Sequence, residues 1–122
     1  MAKLTIPEAE YMYRGHAACP GCGAALAMRL LLKGLGPRTI LSIPACCWTV
    51  IATPFPTTAL SVSVLDNPIE ATGASISGLR AAADAMHLED VTIVGFAGTG
   101  ERPTSGCRRS AGCSSAGRTR SS

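Results

Sequence analysis

The residues of this chain best suited to chemistry are its cysteines. Cys19 and Cys22 form a C-x-x-C pair within HAACPGCGAA, and Cys46 and Cys47 stand side by side in IPACCWT. Two intervening residues bring two sulfurs onto one metal ion or onto each other, so the same spacing serves zinc ribbons, redox dithiols and iron–sulfur clusters. Context weighs among them. A thioredoxin-like dithiol follows a strand directly, whereas Pro7 to Ala18 is polar and aromatic with little strand character. A structural zinc site shows a second paired motif, and here an adjacent pair, Cys46-Cys47, comes instead. That leaves three sensible ligands and a missing fourth. Cys46 and Cys47 also read as small buried apolar residues. His16 reads as a hydrogen-bonding loop residue with no catalytic role, Trp48 as a packing residue, and Asp66-Asn67 before Pro68 as a turn and helix cap.

The elements that must position these thiols alternate between helix and strand. ALAMRLLLKGLGP carries Arg29 and Lys33, four apart, on the one polar face of an otherwise apolar helix that Gly36-Pro37 terminates; burial on most sides is expected. TILSIP at 39–44 predicts a strand, followed by the cysteine turn and a short helix through WTVIA. LSVSVL at 60–65 alternates as a strand does. From Ile69 to Leu88 the helical period returns, with Thr72, Ile76, Leu79, Ala83 and Met86 on a narrow face and Gly73 and Gly78 allowing close approach. VTIVGFAG at 91–98 predicts a fully buried strand in the middle of a parallel sheet. The order implies an α/β fold: a three-layer parallel sheet with right-handed crossovers. In such sheets ligands sit beyond the carboxyl ends of the strands, where Pro44-Ala45-Cys46-Cys47 and Gly98 both fall.

At 122 residues the chain is at most one domain, and its charge is unevenly divided. Residues 1–98 carry six Lys and Arg against seven Asp and Glu, while 99–122 carry five against one, so the formal net charge of +3 belongs to the tail. That tail has no aromatic residue on which a base could stack, which argues against nucleic acid. MAKLTIPEAEYMYRGH lacks the apolar core of a signal peptide, and no apolar run approaches the ~20 residues of a membrane span. The expectation is a cytoplasmic protein without a membrane partner, in which six cysteines serve metal or redox chemistry and not a disulfide framework.

GHAACPGCGAALAMRLLLKGLGPRTILSIPACCWTVIATPFPTTA resembles the start of the β subunit of pyruvate (2-oxoacid):ferredoxin oxidoreductases. The likeness continues through NPIEATGASISGL and VTIVGFAG, covering residues 14–98 with motif, order and spacing in agreement. It implies that 1–98 is the N-terminal part of a thiamine diphosphate-binding domain of the pyrophosphate-binding type, incomplete here. It further implies a [4Fe–4S] cluster with Cys19, Cys22 and Cys47 as three ligands and Cys46 where glycine is usual. Cys46, Cys47, Asn67 and Gly98 fall at the cofactor edge. The implied reaction is oxidative decarboxylation of a 2-oxoacid, pyruvate first among them, to acyl-CoA, with electrons passing to ferredoxin. The implied partners are α, γ and δ subunits or equivalent domains, ferredoxin, the 2-oxoacid and coenzyme A. The rival from another class is a small cysteine-based zinc or redox module with a basic, disordered arm.

After its FAG strand the family continues G-D-G-G-T-x-D-I-G, where the aspartate holds Mg²⁺ and the glycine turn receives the diphosphate. This chain has Gly98-Thr99-Gly100-Glu101 and an arginine- and serine-rich tail. Restoring one G after the Gly98 codon in a back-translation returns G-D-G-G-T-A-D-I-G-L-Q-A-L-S-G-L-L-E. The support lies in bases the amino acids force. In the restored frame every cysteine, and every serine encoded TCN, becomes apolar, and Ser105, Cys107, Ser110, Cys113 and Ser114 are such residues, the last three at helical spacing. Residues 99–122 are therefore expected to be an out-of-frame, disordered tail, and the chain as it stands to be inactive alone.

Overall fold

The structure, a computed structural model, describes residues 6–54 and 56–98. Among the described residues six elements alternate: α1 (Gly23–Leu35), β1 (Thr39–Pro44), α2 (Cys47–Ala52), β2 (Ser63–Asn67), α3 (Thr72–Ala85) and β3 (Thr92–Gly95). The strands form one sheet in the order β2-β1-β3, parallel at both junctions. The α/β parallel-sheet expectation is met.

Register decides which side chains share a face. Ser42 lies opposite Leu65 on one side and Gly95 on the other, and Leu41 lies opposite Val64 and Val94. Because side chains alternate along a strand, Leu41, Ile43, Val64 and Val94 face one layer, while Ser42, Leu65, Asn67 and Gly95 face the other. The first face packs with Met28 and Leu32 of α1, Ile51 and Ala52 of α2, and Met12, Leu60 and Val62 in one core. Met28, Leu32, Leu41 and Ile43 are fully buried there, each contributing about 1.5–3 kcal/mol of burial free energy. The second face meets α3, where Gly95 lies against Thr72 and Ile76. Helices therefore cover both faces of the sheet.

Several expectations are corrected. The central strand is β1, whose pattern is buried at five of six positions, and β3 is an edge strand of four residues with Thr92 exposed and Ile93 and Val94 half-buried. VTIVGFAG has an interior composition, but among the described residues only β1 pairs with it. β2 starts at Ser63, three residues later than the alternation suggests, because Leu60 pairs with Met12 in an antiparallel bridge. There the Tyr13 N–H donates to Ala59 O at 2.7 Å and the Ser61 N–H to Tyr11 O at 3.0 Å. α1 buries one side only, through Ala25, Met28 and Leu32, and leaves Leu26, Leu30 and Leu31 exposed. α3 is shorter than the 69–88 reading. Pro68 to Ala71 form a turn closed by the Ala71 N–H to Pro68 O at 3.1 Å. At the other end His87 takes φ 54°, with the Leu88 N–H on Ala83 O and the His87 N–H on Asp84 O, a Schellman closure that leaves Met86 exposed outside the helix. The expectations for 99–122 fall outside the described residues.

Candidate functional site

The C-x-x-C segment folds as a tight loop feeding α1. Cys22 immediately precedes the helix; its N–H donates to Cys19 O at 3.0 Å and its carbonyl accepts the Leu26 N–H at 3.3 Å. Gly21 supplies φ 74°, which glycine adopts without a Cβ clash. His16 accepts the Ala18 N–H at Nδ1, 3.4 Å, in keeping with a loop-ordering role. Cys19 is exposed and Cys22 half-buried; both are free thiols. Glu10 fastens the preceding segment to α1, taking Arg29 in a two-pronged pair at 2.9 and 2.6 Å and Lys33 at 2.6 Å. Hydrogen bonds from Arg29 and then Lys33 bring the Glu10 carboxyl down to about 2. An open cleft of about 790 Å³ runs between these parts, lined in part by Tyr13, Arg14, His16, Cys19 and Cys22.

The adjacent cysteines occupy the turn between β1 and α2, at the carboxyl edge of the sheet. Asn67 O accepts the Ala45 N–H at 2.9 Å, Pro44 O accepts the Thr49 hydroxyl at 2.6 Å, and Cys46 O accepts the Val50 N–H at 3.3 Å. Cys46 is half-buried and Cys47 exposed. Gly98 lies so near that a Cβ there would stand 2.9 Å from Cys46 Cβ and 3.1 Å from its Sγ. Trp48 donates from Nε1 to Ala97 O at 3.1 Å and packs on Phe96, ring centroids 4.7 Å apart, which makes it the packing residue expected. Asn67 is buried. Its Nδ2 donates to Ser42 Oγ at 2.6 Å and Leu65 O at 3.2 Å, and its Oδ1 accepts the Ser75 hydroxyl at 2.8 Å.

Cys46, Cys47, Asn67 and Gly98 are thus assembled at one edge. Ser42 and Ser75, the partners of Asn67, went unnoticed in the sequence. The available signal was Ser42 itself, a hydroxyl in the middle of the apolar run TILSIP, since a buried polar group calls for a partner.

The segments that carry the two thiol pairs are joined by a hydrogen bond from the Ala17 N–H to Ile51 O at 3.1 Å. Ile51 lies one turn of α2 beyond Cys47, a rise of roughly 6 Å. Among the described residues no three His, Cys, Asp or Glu gather closely enough to hold a metal ion. The donor chemistry suits a thiophilic centre; the arrangement of Cys19, Cys22 and Cys47 does not complete one. The sheet edge expected to receive a diphosphate likewise has no opening on the side of Gly98 where a Cβ would project, because Cys46 fills it. No helix among the described residues is long and apolar enough to cross a membrane.

No protein-family model matches the chain. Curated relatives do. The ketoisovalerate oxidoreductase subunit VorB of Pyrococcus furiosus is 47% identical over 103 residues, covering 80% of this chain and 33% of the relative. The VorB subunit of Pyrococcus abyssi is 46% identical with the same coverage. The pyruvate synthase subunit PorB of Methanothermobacter thermautotrophicus is 40% identical over 97 residues, 80% of this chain and 34% of the relative. The chain spans about a third of the length of these relatives. Given that identity, the chain is a homologue, over about a third of their length, of VorB and PorB, which are β subunits of 2-oxoacid:ferredoxin oxidoreductases.

Proposed function

We propose that this chain represents a portion of a β subunit whose complete enzyme oxidatively decarboxylates a 2-oxoacid to its acyl-CoA and passes the electrons to ferredoxin. The observation that carries the reading is the 47% identity over 80% of the chain with a ketoisovalerate oxidoreductase subunit. Identity to the VorB subunits, 44–47%, exceeds that to the PorB subunits of the two Methanothermobacter species, 39–40%. Ketoisovalerate therefore joins pyruvate as a first acid to assay. In the complete enzyme, partner subunits or domains equivalent to α, γ and δ accompany this one in the cytoplasm. Thiamine diphosphate with Mg²⁺ supplies carbanion stabilisation when bound, and a [4Fe–4S] cluster supplies single-electron acceptance. Cys19, Cys22 and Cys47 serve as three of its four thiolate ligands, with the gathering of those thiols and the fourth ligand coming from sequence outside the described residues. This chain's own contribution is to hold one thiol pair at the start of α2 and the other on the loop tied to its far end, and to shape the sheet edge.

The experiment is to resequence the genomic locus across codons 98–99 and then assay the complete complex encoded there. The expected result is an alternate frame that stays open past codon 122 and encodes D-G-G-T-x-D-I-G and a further cysteine. The complex should then reduce ferredoxin with ketoisovalerate or pyruvate only when coenzyme A is present. A stop codon soon after the junction in that frame removes the deletion account. An intact complex inert toward both acids removes the reaction. Stoichiometric zinc bound through Cys19, Cys22, Cys46 and Cys47, without iron–sulfur absorbance after anaerobic reconstitution, establishes the zinc-module alternative.

A further inference from the structure

We propose that Asn67 is a positioning residue that fixes which of the two adjacent thiols, Cys46 or Cys47, faces outward from the sheet edge. Neighbouring cysteines pose a register problem. They are identical in size and polarity, so a shift of the turn by one residue would replace one thiol by the other, opposed on the α2 side by the contacts of Trp48 and Thr49. On the sheet side the constraint converges on Asn67.

Asn67 is only 8% exposed and ends β2 opposite Pro44, the last residue of β1. Its carbonyl accepts the Ala45 N–H at 2.9 Å, so it holds the first residue of the turn directly. Its side chain holds Asn67 itself in place, on β1 through Ser42 at 2.6 Å and on α3 through Ser75 at 2.8 Å. The amide orientation follows from the third contact. Leu65 O can only accept, so the atom facing it at 3.2 Å is Nδ2, and Oδ1 is left for the Ser75 hydroxyl. With Ala45 fixed, Cys46 turns toward Gly98, and Cys47 begins α2 on the exposed side. Ser42 lies on β1 and Ser75 on α3, and the side chain of Ser75 reaches the turn through Asn67.

The inference leans on the proposed function only for what the outward thiol is used for; the test requires no cluster, substrate or partner. The full chain is alkylated under native conditions with limiting iodoacetamide, and each cysteine is quantified by peptide mass spectrometry. Cys47 is expected to label ahead of Cys46. Asn67→Asp keeps the shape and removes two hydrogen bonds, to Ser42 and Leu65, so the Cys47-to-Cys46 labelling ratio should fall roughly fivefold, about twofold for each bond. Ser75→Ala removes a single donor and should lower the ratio about twofold. The Cys19-to-Cys22 ratio should stay unchanged in both. If Asn67→Asp loses its cooperative urea transition, Ser75→Ala decides. An unchanged Cys47-to-Cys46 ratio in the folded variants, or Cys19, Cys22, Cys46 and Cys47 accelerating in step, overturns the positioning role.

Discussion

Replacing Gly95 by alanine probes the packing that brings the end of β3 to the site. Gly95 lies opposite Ser42 and faces α3. A Cβ built on it would stand 2.7 Å from Thr72 Cγ2 and 3.1 Å from Ile76 Cγ1, and would collide with Ile76 Cδ1. Two effects oppose each other. Alanine restricts the unfolded chain and by itself stabilises by about 0.4–1 kcal/mol. Overpacking against a stiff, β-branched Thr72 and Ile76 costs about 1–3 kcal/mol, so a net loss of roughly 1–2 kcal/mol is expected. Urea denaturation of the full chain followed by circular dichroism measures it, and the denaturant slope should not change. Ile76→Val removes the colliding methyl. Alone it should cost about 0.5–1.5 kcal/mol, yet in the Gly95→Ala background it should cost nothing or restore stability, a coupling of about 1 kcal/mol. A neutral or stabilising Gly95→Ala, or strict additivity in the double variant, would refute the close β3–α3 contact.

The other predictions concern separate parts of the molecule. Glu10, with its carboxyl at about 2 against an ordinary 4.5, contributes stability that is present above pH 4.5 and lost as the pH falls toward 2. Glu10→Gln should flatten thermal stability over that acid window, and an unchanged profile would show that the Arg29–Lys33 clamp is not formed in solution. His87→Gly relieves a left-handed residue at the α3 C-terminus. Set against glycine's greater unfolded-state freedom, the melting experiment should show a gain of about 0.5–1 kcal/mol, and a loss would contradict the Schellman geometry. Gly98→Ala should push Cys46 outward, and faster Cys46 alkylation with Cys19 unaffected is the expected sign; no change would place Gly98 away from that thiol.

What was legible in the sequence was local. The C-x-x-C loop, the helix it feeds, the cysteine turn and the alternation of elements all follow from spacing, glycine and proline. Sheet order was not legible, because VTIVGFAG and TILSIP are equally apolar and only pairing partners distinguish a centre from an edge. The leucines of α1 misled for a related reason. An apolar helix reads as buried all round, yet one side meets the core and Leu26, Leu30 and Leu31 remain exposed among the described residues. LSVSVL misplaced the start of β2, since its first residues pair with the segment around Met12, a contact 48 positions away in sequence. Asn67 illustrates the same limit at the site. Its position at the sheet edge could be read, but its hydrogen bonds to Ser42, 25 residues away, and Ser75 could not.

The part of the fold on which both thiol pairs depend is its shortest helix. α2 has six residues, too few to be stable by itself in water, where nucleation cost outweighs so few backbone bonds. Its stability comes from burying Ile51 and Ala52 in the core and from tethers, some local and some made by segments distant in sequence. The Thr49 hydroxyl binds Pro44 O at its start, Trp48 reaches Ala97 O beyond β3, and Ile51 O takes the Ala17 N–H ahead of the C-x-x-C loop. At its end Ala52 O accepts both the Ala59 N–H and the Thr58 hydroxyl. Each tether is a single hydrogen bond worth about 1 kcal/mol, so the N-terminal loop, β1 and the end of β3 together add to what the core contacts of Ile51 and Ala52 supply. Cys47 belongs to this helix and Cys19 to the loop tied to its far end. The separation of the two pairs is therefore set by α2 and by the depth at which Trp48 and Ile51 seat it, and not by either cysteine motif alone.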